Sequence, residues 1–207
     1  MKSREGRFGN VAAAVLVGGA STRMGEDKSH ATLGGVPLAT RIARTLDALV
    51  EDLVLVGGDP PADAPGRRVP DGSGPPCALR GLVAALAAVE TERLLVVATD
   101  LPFVTPALLL ALLAAPAADA VVPAPPDGLQ PLCALYRVAP TLERARANLD
   151  AGRLALHSLL DALEVFTLDA ATLAEIDPNG DALANLNTPE ERADAEARIA
   201  SVPPVSR

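Results

Sequence analysis

The chain has 207 residues and a formal net charge of −8; 49% of its residues are hydrophobic and only 2% are aromatic. The acidic balance argues against nucleic acid as the main partner, because duplex binding needs a basic footprint, and the length fits one domain with a core able to stand alone. Apolar runs such as LLVVA at 94–98 are far too short to span a bilayer, no charged-then-apolar leader opens the chain, and Cys77 and Cys133 lack metal-type spacing, so a cytoplasmic protein without a membrane partner or a disulfide framework is expected.

Residues 1–10 are polar and are expected to form a loose tail, as are 201–207 with their two prolines. The valine-bearing run 11–17 ends at Gly18-Gly19 and predicts a buried strand. Leu38, Ile42, Leu46 and Leu49 are spaced 4, 4 and 3, with Arg41, Arg44 and Asp47 between them, which predicts an amphipathic helix over 37–50. A strand follows at 53–56, stopped by Gly57-Gly58. The proline- and glycine-rich segment 59–76 is expected to be a mobile loop. A helix at 78–89 and a strand at 94–98 come next, then a helix from Pro106 to about 115 capped by Thr105. Strands are predicted at 120–122, 132–137 and 165–168, and helices at 140–149 and 155–162. The stretch Thr188-Pro189-Glu190-Glu191 is a capping box that opens the last helix.

Apolar strands alternating with amphipathic helices imply a parallel sheet covered on both faces. Ligands in such sheets bind at the carboxyl ends of the strands. Residues 18–28, 57–59, 71–74 and 99–102 therefore share one rim.

The stretch VLVGGASTRMGEDKS at 15–29 puts glycines beside two positive charges. Backbone N–H groups of a glycine-rich turn can hold a phosphate chain, and a Cβ would block that approach. Gly18, Gly19 and Gly25 supply the turn, and Arg23 and Lys28 the charge. Lysine offers a compact point charge and arginine a planar fork. Only Lys2 and Lys28 are lysines, against 16 arginines, so an internal lysine here calls for a reason. Neither a Walker loop nor a G-x-G-x-x-G dinucleotide fingerprint is present.

The ordered string L-x-G-G-x-S-x-R-M-G-x-D-K from Leu16 to Lys28 closely resembles the signature of the MobA-like nucleotidyltransferases, in particular the molybdenum cofactor guanylyltransferases. Further blocks follow in the family's order: ATDLPFV at 98–104, QPLCALYR at 130–137 and NLNTPEE at 185–191. The resemblance implies an α/β, Rossmann-like three-layer sandwich with a mostly parallel central sheet, of the nucleotide-diphospho-sugar transferase type. The blocks span residues 11 to about 200, within a single expected domain over 1–207 whose ends at 1–10 and 201–207 are the flexible tails read above. The activity the resemblance implies is transfer of GMP from GTP to the phosphate of molybdopterin or Mo-molybdopterin, with release of pyrophosphate. Mg²⁺ is the implied cofactor, and molybdenum-insertion or molybdoenzyme-maturation proteins are the implied partners.

By the same resemblance, Leu16, Val17, Gly18 and Gly19 line the nucleotide site through their backbone. Lys28 contacts the triphosphate and Arg23 the departing pyrophosphate. Asp100, at a strand's carboxyl end, binds the metal, for which one or two carboxylates completed by phosphates and water suffice; as a bare residue it could equally cap a turn. Asp71 contacts the nucleotide. Asn185 and Asn187 form the pterin side, with Gln130 and Arg137 as weaker candidates on the same side; amides suit a pterin's mixed donor and acceptor edge. His30 and His157 are expected to be structural or surface residues.

Two stretches depart from the family pattern. Gly57-Gly58 stand where many members carry an asparagine, and DGSGPPCALRG at 71–81 is looser than the common GPLAG form. Sister cytidylyltransferases close with D-x-D-T-P, whereas residues 185–189 read N-L-N-T-P, which favours guanine. Other readings are a different MobA-like nucleotidyltransferase or a nucleotide-binding protein without turnover. Replacing Lys28 by Ala should preserve the fold and lower turnover on the order of 10²–10³-fold, as deletion of one preorganised charge contact does; near wild-type turnover in the folded variant would remove Lys28 from the site.

Overall fold

The structure is a computed structural model that describes residues 7–17, 31–74, 77–186, 191 and 193–197. In chain order it contains β1 (Phe8–Leu16), a hairpin of β2 (Thr32–Leu33) and β3 (Val36–Pro37), α1 (Leu38–Asp47), β4 (Val50–Val56), β5 (Arg67–Val69), α2 (Ala78–Ala87) and β6 (Arg93–Ala98). It continues with α3 (Pro106–Ala114), β7 (Ala120–Pro123), β8 (Cys133–Arg137), α4 (Val138–Asp150), α5 (Leu156–Leu160), β9 (Val165–Leu168) and α6 (Ala170–Ile176). Residues 193–197 are helical, while the predicted capping residues 188–190 lie outside the described residues.

Seven strands form one sheet in the order β5-β4-β1-β6-β8-β7-β9. β1 pairs in parallel with β4 and β6, β4 with β5, and β7 with β9; β8 runs antiparallel to both β6 and β7. The sheet is thus mostly parallel, as expected. Side chains alternate along β1: Ala13 and Val15 pack into a core with α1, α3 and α6, and Ala12 and Ala14 into a second core with α2, α4 and α5. Burial on both faces is why β1 reads as a continuous apolar run. Small alanines at its centre let helices from both layers approach closely.

Several boundaries differ from the sequence reading. β1 begins three residues early: the Phe8 N–H donates to the Leu49 carbonyl at 2.8 Å and Arg7 pairs with Asp47 at 2.9 Å, so residues 7–10 belong to the fold and not to a loose tail. The 59–76 segment contains β5, whose Arg67 and Arg68 are exposed on the sheet's edge. Charged residues protect an edge strand from further pairing and also hide it from a hydrophobicity pattern. The hairpin turns at Gly34-Gly35, with φ +59° and +72°, the backbone that a two-residue turn between antiparallel strands demands. α6 is capped by Asp169, whose carboxylate accepts the Thr172 N–H at 2.9 Å and is held below its usual pKa by that bond. The Thr105 cap of α3 is present as expected, with its hydroxyl accepting the Leu108 N–H at 3.2 Å.

Leu95 lies at the middle of β6 and has no solvent exposure. Truncation to Ala should cost about 2–5 kcal/mol, the usual range for a buried leucine left as a cavity. Urea unfolding with an unchanged m-value checks this; a loss well under 1 kcal/mol would mean that the two-core packing at β6 is loose.

Candidate active site

Leu16 is level with Val56 on one side and with Ala98 on the other. The chain therefore leaves β1, β4 and β6 at one height. The crossover through α1 covers one face of the sheet and the crossover through α2 the other. Strand order reverses between β1 and β6, which is where open α/β sheets place ligands. At this point the Thr99 N–H donates to the Leu16 carbonyl at 3.2 Å, and the Val17 N–H donates to the Val56 carbonyl at 2.8 Å. Loops 57–59, 71–74 and 99–102 all follow parallel strands onto this rim, as the sequence led us to expect. Gly18, Gly19, Arg23, Gly25, Lys28 and His30 lie outside the described residues.

The corner after β4 is wedged between its neighbours. Gly57 and Gly58 have φ +74° and +53°. A Cβ on Gly58 would stand 3.2 Å from the Val17 carbonyl oxygen, and one on Gly57 would stand 3.3 Å from the Asp71 side chain. Glycine is required here for both space and backbone angle. The Gly57 N–H donates to the Val69 carbonyl at 2.9 Å, tying this corner to the end of β5 just before half-buried Asp71. Leu16 and Val17 are themselves buried. Leu16 offers the rim its position, since its carbonyl already accepts from Thr99.

Asp100 is half-buried on the bend after β6, and its carbonyl accepts the Leu186 N–H at 2.9 Å. That bond brings half-buried Asn185 to the same strand end. Leu186 is anchored in a third, small cluster with Leu33, Leu38 and Ala195. The Gly34 N–H donates to Glu196 Oε1 at 2.9 Å. The C-terminal segment is thereby fastened to the hairpin. Asn187 lies outside the described residues.

The QPLCALYR block straddles the sheet. The Gln130 N–H donates to the Pro123 carbonyl and its own carbonyl accepts the Cys133 N–H, both at 3.0 Å, which puts Gln130 on the rim. Arg137 is at the other end: it pairs with Arg93 at the start of β6 and forms a 3.1 Å ion pair with Asp119. Four steps of extended chain, about 13 Å, separate Arg137 from Cys133, so Arg137 lies at the end of the sheet opposite the rim. The interior of β8 offers no reactive group. Burial pushes the Cys133 thiol up to about 12 and raises the Tyr136 phenol as well, whose O–H donates to the Pro131 carbonyl at 2.7 Å. His157 is exposed on α5.

Among the described residues no group of three or more His, Cys, Asp or Glu could hold a metal, and no helix is long and apolar enough to cross a membrane. A hard divalent cation that takes one carboxylate and fills its shell with phosphate oxygens still fits Asp100. The sequence reading missed the Leu186–Asp100 bond, which joins positions far apart in the chain. It also missed the hairpin, although Gly34-Gly35 between apolar residues was a usable signal.

A rim that presents backbone, glycine corners and single carboxylates defines a nucleotide-binding α/β enzyme. The description "MobA-like NTP transferase domain" matches residues 13–165, and the chain belongs to that family of nucleotidyltransferases. It is 36% identical to a probable molybdenum cofactor guanylyltransferase of Chloroflexus aggregans, over 86% of this chain and 89% of that protein. It is 33% identical to the molybdenum cofactor guanylyltransferase of Rhodobacter capsulatus, over 91% of this chain and 96% of that one. In fold it resembles the molybdopterin-guanine dinucleotide biosynthesis protein A of Archaeoglobus fulgidus, with a TM-score of 0.79 and 24% identity over 92% of this chain and 100% of that chain. It also resembles the 2-C-methyl-D-erythritol 4-phosphate cytidylyltransferase of Thermus thermophilus, with a TM-score of 0.70 and 18% identity over 93% of this chain and 100% of that one.

Replacing Gly58 by Ala forces a side chain into positive φ and against the Val17 carbonyl. It should lower stability by about 1–3 kcal/mol, the range for one strained backbone position, and weaken nucleotide binding at the same time. Denaturation and nucleotide titration of the same variant check both, and wild-type values in both would show that the corner is not wedged.

Proposed function

We propose that this nucleotidyltransferase moves GMP from GTP to the terminal phosphate of molybdopterin, free or molybdenum-bearing, and releases pyrophosphate. The reading is carried by the 2.9 Å bond from the Leu186 N–H to the Asp100 carbonyl, because it sets the arm bearing Asn185 against the strand end bearing Asp100. Two anionic substrates that react with each other need two binding arms on one rim. Guanine and molybdopterin are supported by relatives at 31–36% identity named molybdenum cofactor guanylyltransferases, and by the N-L-N-T-P motif at 185–189.

In the transfer, an oxygen of the acceptor phosphate attacks the α-phosphorus of GTP and the bond to the β-phosphate breaks. Positioning and charge neutralisation are the main tasks, and no covalent protein intermediate is required. Gly18 and Gly19 present backbone to the nucleotide next to Leu16 and Val17, and Asp71 contacts it from the end of β5. Lys28 holds the triphosphate, and Arg23 the pyrophosphate as it leaves. Gln130, Asn185 and Asn187 orient the pterin. Asp100 holds a divalent cation, Mg²⁺ in this reading. Once bound, that cation offsets charge on the phosphate oxygens. The chain works as one domain in the cytoplasm, where molybdenum-insertion or molybdoenzyme-maturation proteins supply the acceptor or take the product.

Pyrophosphate release by the purified protein tests this directly, with molybdopterin, Mg²⁺ and GTP, CTP or ATP in parallel. GTP should be the productive nucleotide. Faster release from CTP would overturn the base assignment, and no release with any of the three would overturn the transfer. In the same assay Asp100→Asn should lose metal-dependent turnover while retaining part of the GTP affinity; an unchanged Mg²⁺ dependence would remove Asp100 from the metal site.

A further inference from the structure

A cleft of about 300 Å³ opens between α3, α6, the turn after β7 and residues 177–183. Its volume is at the lower end of ordinary ligand pockets, about 300–1,000 Å³. The walls are aliphatic: Leu108, Leu173, Ala174, Pro125, Pro126 and Leu183. Asp177 and Asn179 are the polar side chains on its lining. None of these residues belongs to the nucleotide half of the rim.

Asp177 is held in place from both sides. Its N–H donates to the Leu173 carbonyl at 2.8 Å as α6 ends, and its carbonyl accepts the Gly180 N–H at 3.0 Å. One carboxylate oxygen, Oδ2, accepts the Ala182 N–H at 2.6 Å. The other, Oδ1, takes no hydrogen bond from the described residues. A half-buried carboxylate with an open oxygen, set in an aliphatic slot, suits a flat heterocycle that presents adjacent N–H donors.

We infer that this cleft binds the pterin ring of the acceptor, with Asp177 accepting from the ring's N3–H and 2-amino group. The inference rests on the molybdopterin reading above and adds a subsite to it. A pterin offers those two donors side by side, and a carboxylate accepts such a pair with charge assistance. The aliphatic walls cover the ring faces, and Asn179 supplies an amide that can both donate and accept. Reach agrees. Ala182 accompanies Asp177 on the wall, and four residues later Leu186 bonds to Asp100. Four residues span at most about 14 Å, comparable to molybdopterin measured from its amino group to its phosphate. A phosphate arm on a ring seated in the cleft is therefore within reach of Asp100.

The test uses the full-length protein and two variants. Asp177→Asn keeps the shape and an acceptor for the Ala182 N–H but removes the charge. Ala174→Phe fills the cleft from the exposed side of α6 and leaves Asp177 untouched. The probe is 6-hydroxymethylpterin phosphate, followed by its own fluorescence, beside molybdopterin KM in the pyrophosphate assay and GTP titration. Both variants should raise the pterin Kd and the molybdopterin KM about tenfold or more, with kcat at saturation and GTP affinity near wild type. Wild-type pterin Kd and molybdopterin KM in both variants would overturn the subsite, as would wild-type protein that does not bind the pterin probe. Failure of the broader reading looks different: wild-type protein then binds the pterin, with weaker binding in the variants, but releases no pyrophosphate from GTP and molybdopterin.

Discussion

Leu16, Val56 and Ala98 stand at one level across three parallel strands, and the rim is a consequence of that register. Slippage of one residue on β6 would invert every side chain of the strand between the two cores. It would also break the Thr99–Leu16 bond and lift Asp100 out of line. The alternation of β1 between two aliphatic cores makes such slippage expensive, since each core accepts only its own half of the strand. Packing deep in the sheet therefore controls the position of a carboxylate at its edge.

What was legible in the sequence follows the same division. Elements that bury a face were readable: β1, β4, β6 and α1 announced themselves through apolar runs or the spacing of Leu38, Ile42 and Leu46. Elements stabilised by local chemistry were not. β5 is a polar edge strand, α6 depends on the Asp169 cap, and the hairpin depends on two glycines with positive φ. On the rim, the position of Asp100 was legible because it follows the readable strand β6, and that of Asp71 came from the glycines and prolines of its loop, since β5 before it carried no apolar signal. Arg137 and Gln130 share one motif, yet the antiparallel strand between them carries the two to opposite ends of the sheet. The bond from Leu186 to Asp100 joins two loops, and no periodicity encodes it.

The arginine-rich composition has a physical reading in the fold. Arg7, Arg44, Arg67 and Arg137 pair with carboxylates, and Arg41, Arg68 and Arg93 donate to main-chain carbonyls. A planar fork with several donors suits such pinning better than an ammonium does. Exposed pairs of this kind contribute about 0–1 kcal/mol each, so their effect is mainly on loop and terminus geometry. Lys28 has a residue type that this scheme does not explain.

The bond between Gly34 and Glu196 joins positions 162 apart in the chain. Loop closure over such a span costs entropy before any contact repays it. The strands β1, β4, β5 and β6 lie within the first half of the chain and can pair while the rest is still being synthesised. The cluster of Leu33, Leu38, Leu186 and Ala195 cannot close until the last helical residues have left the ribosome. The nascent protein therefore pairs the strands beneath the rim first and fastens its C-terminal segment last, and a chain cut short near residue 180 keeps all seven strands of the sheet but lacks the bond that ties Leu186 to Asp100.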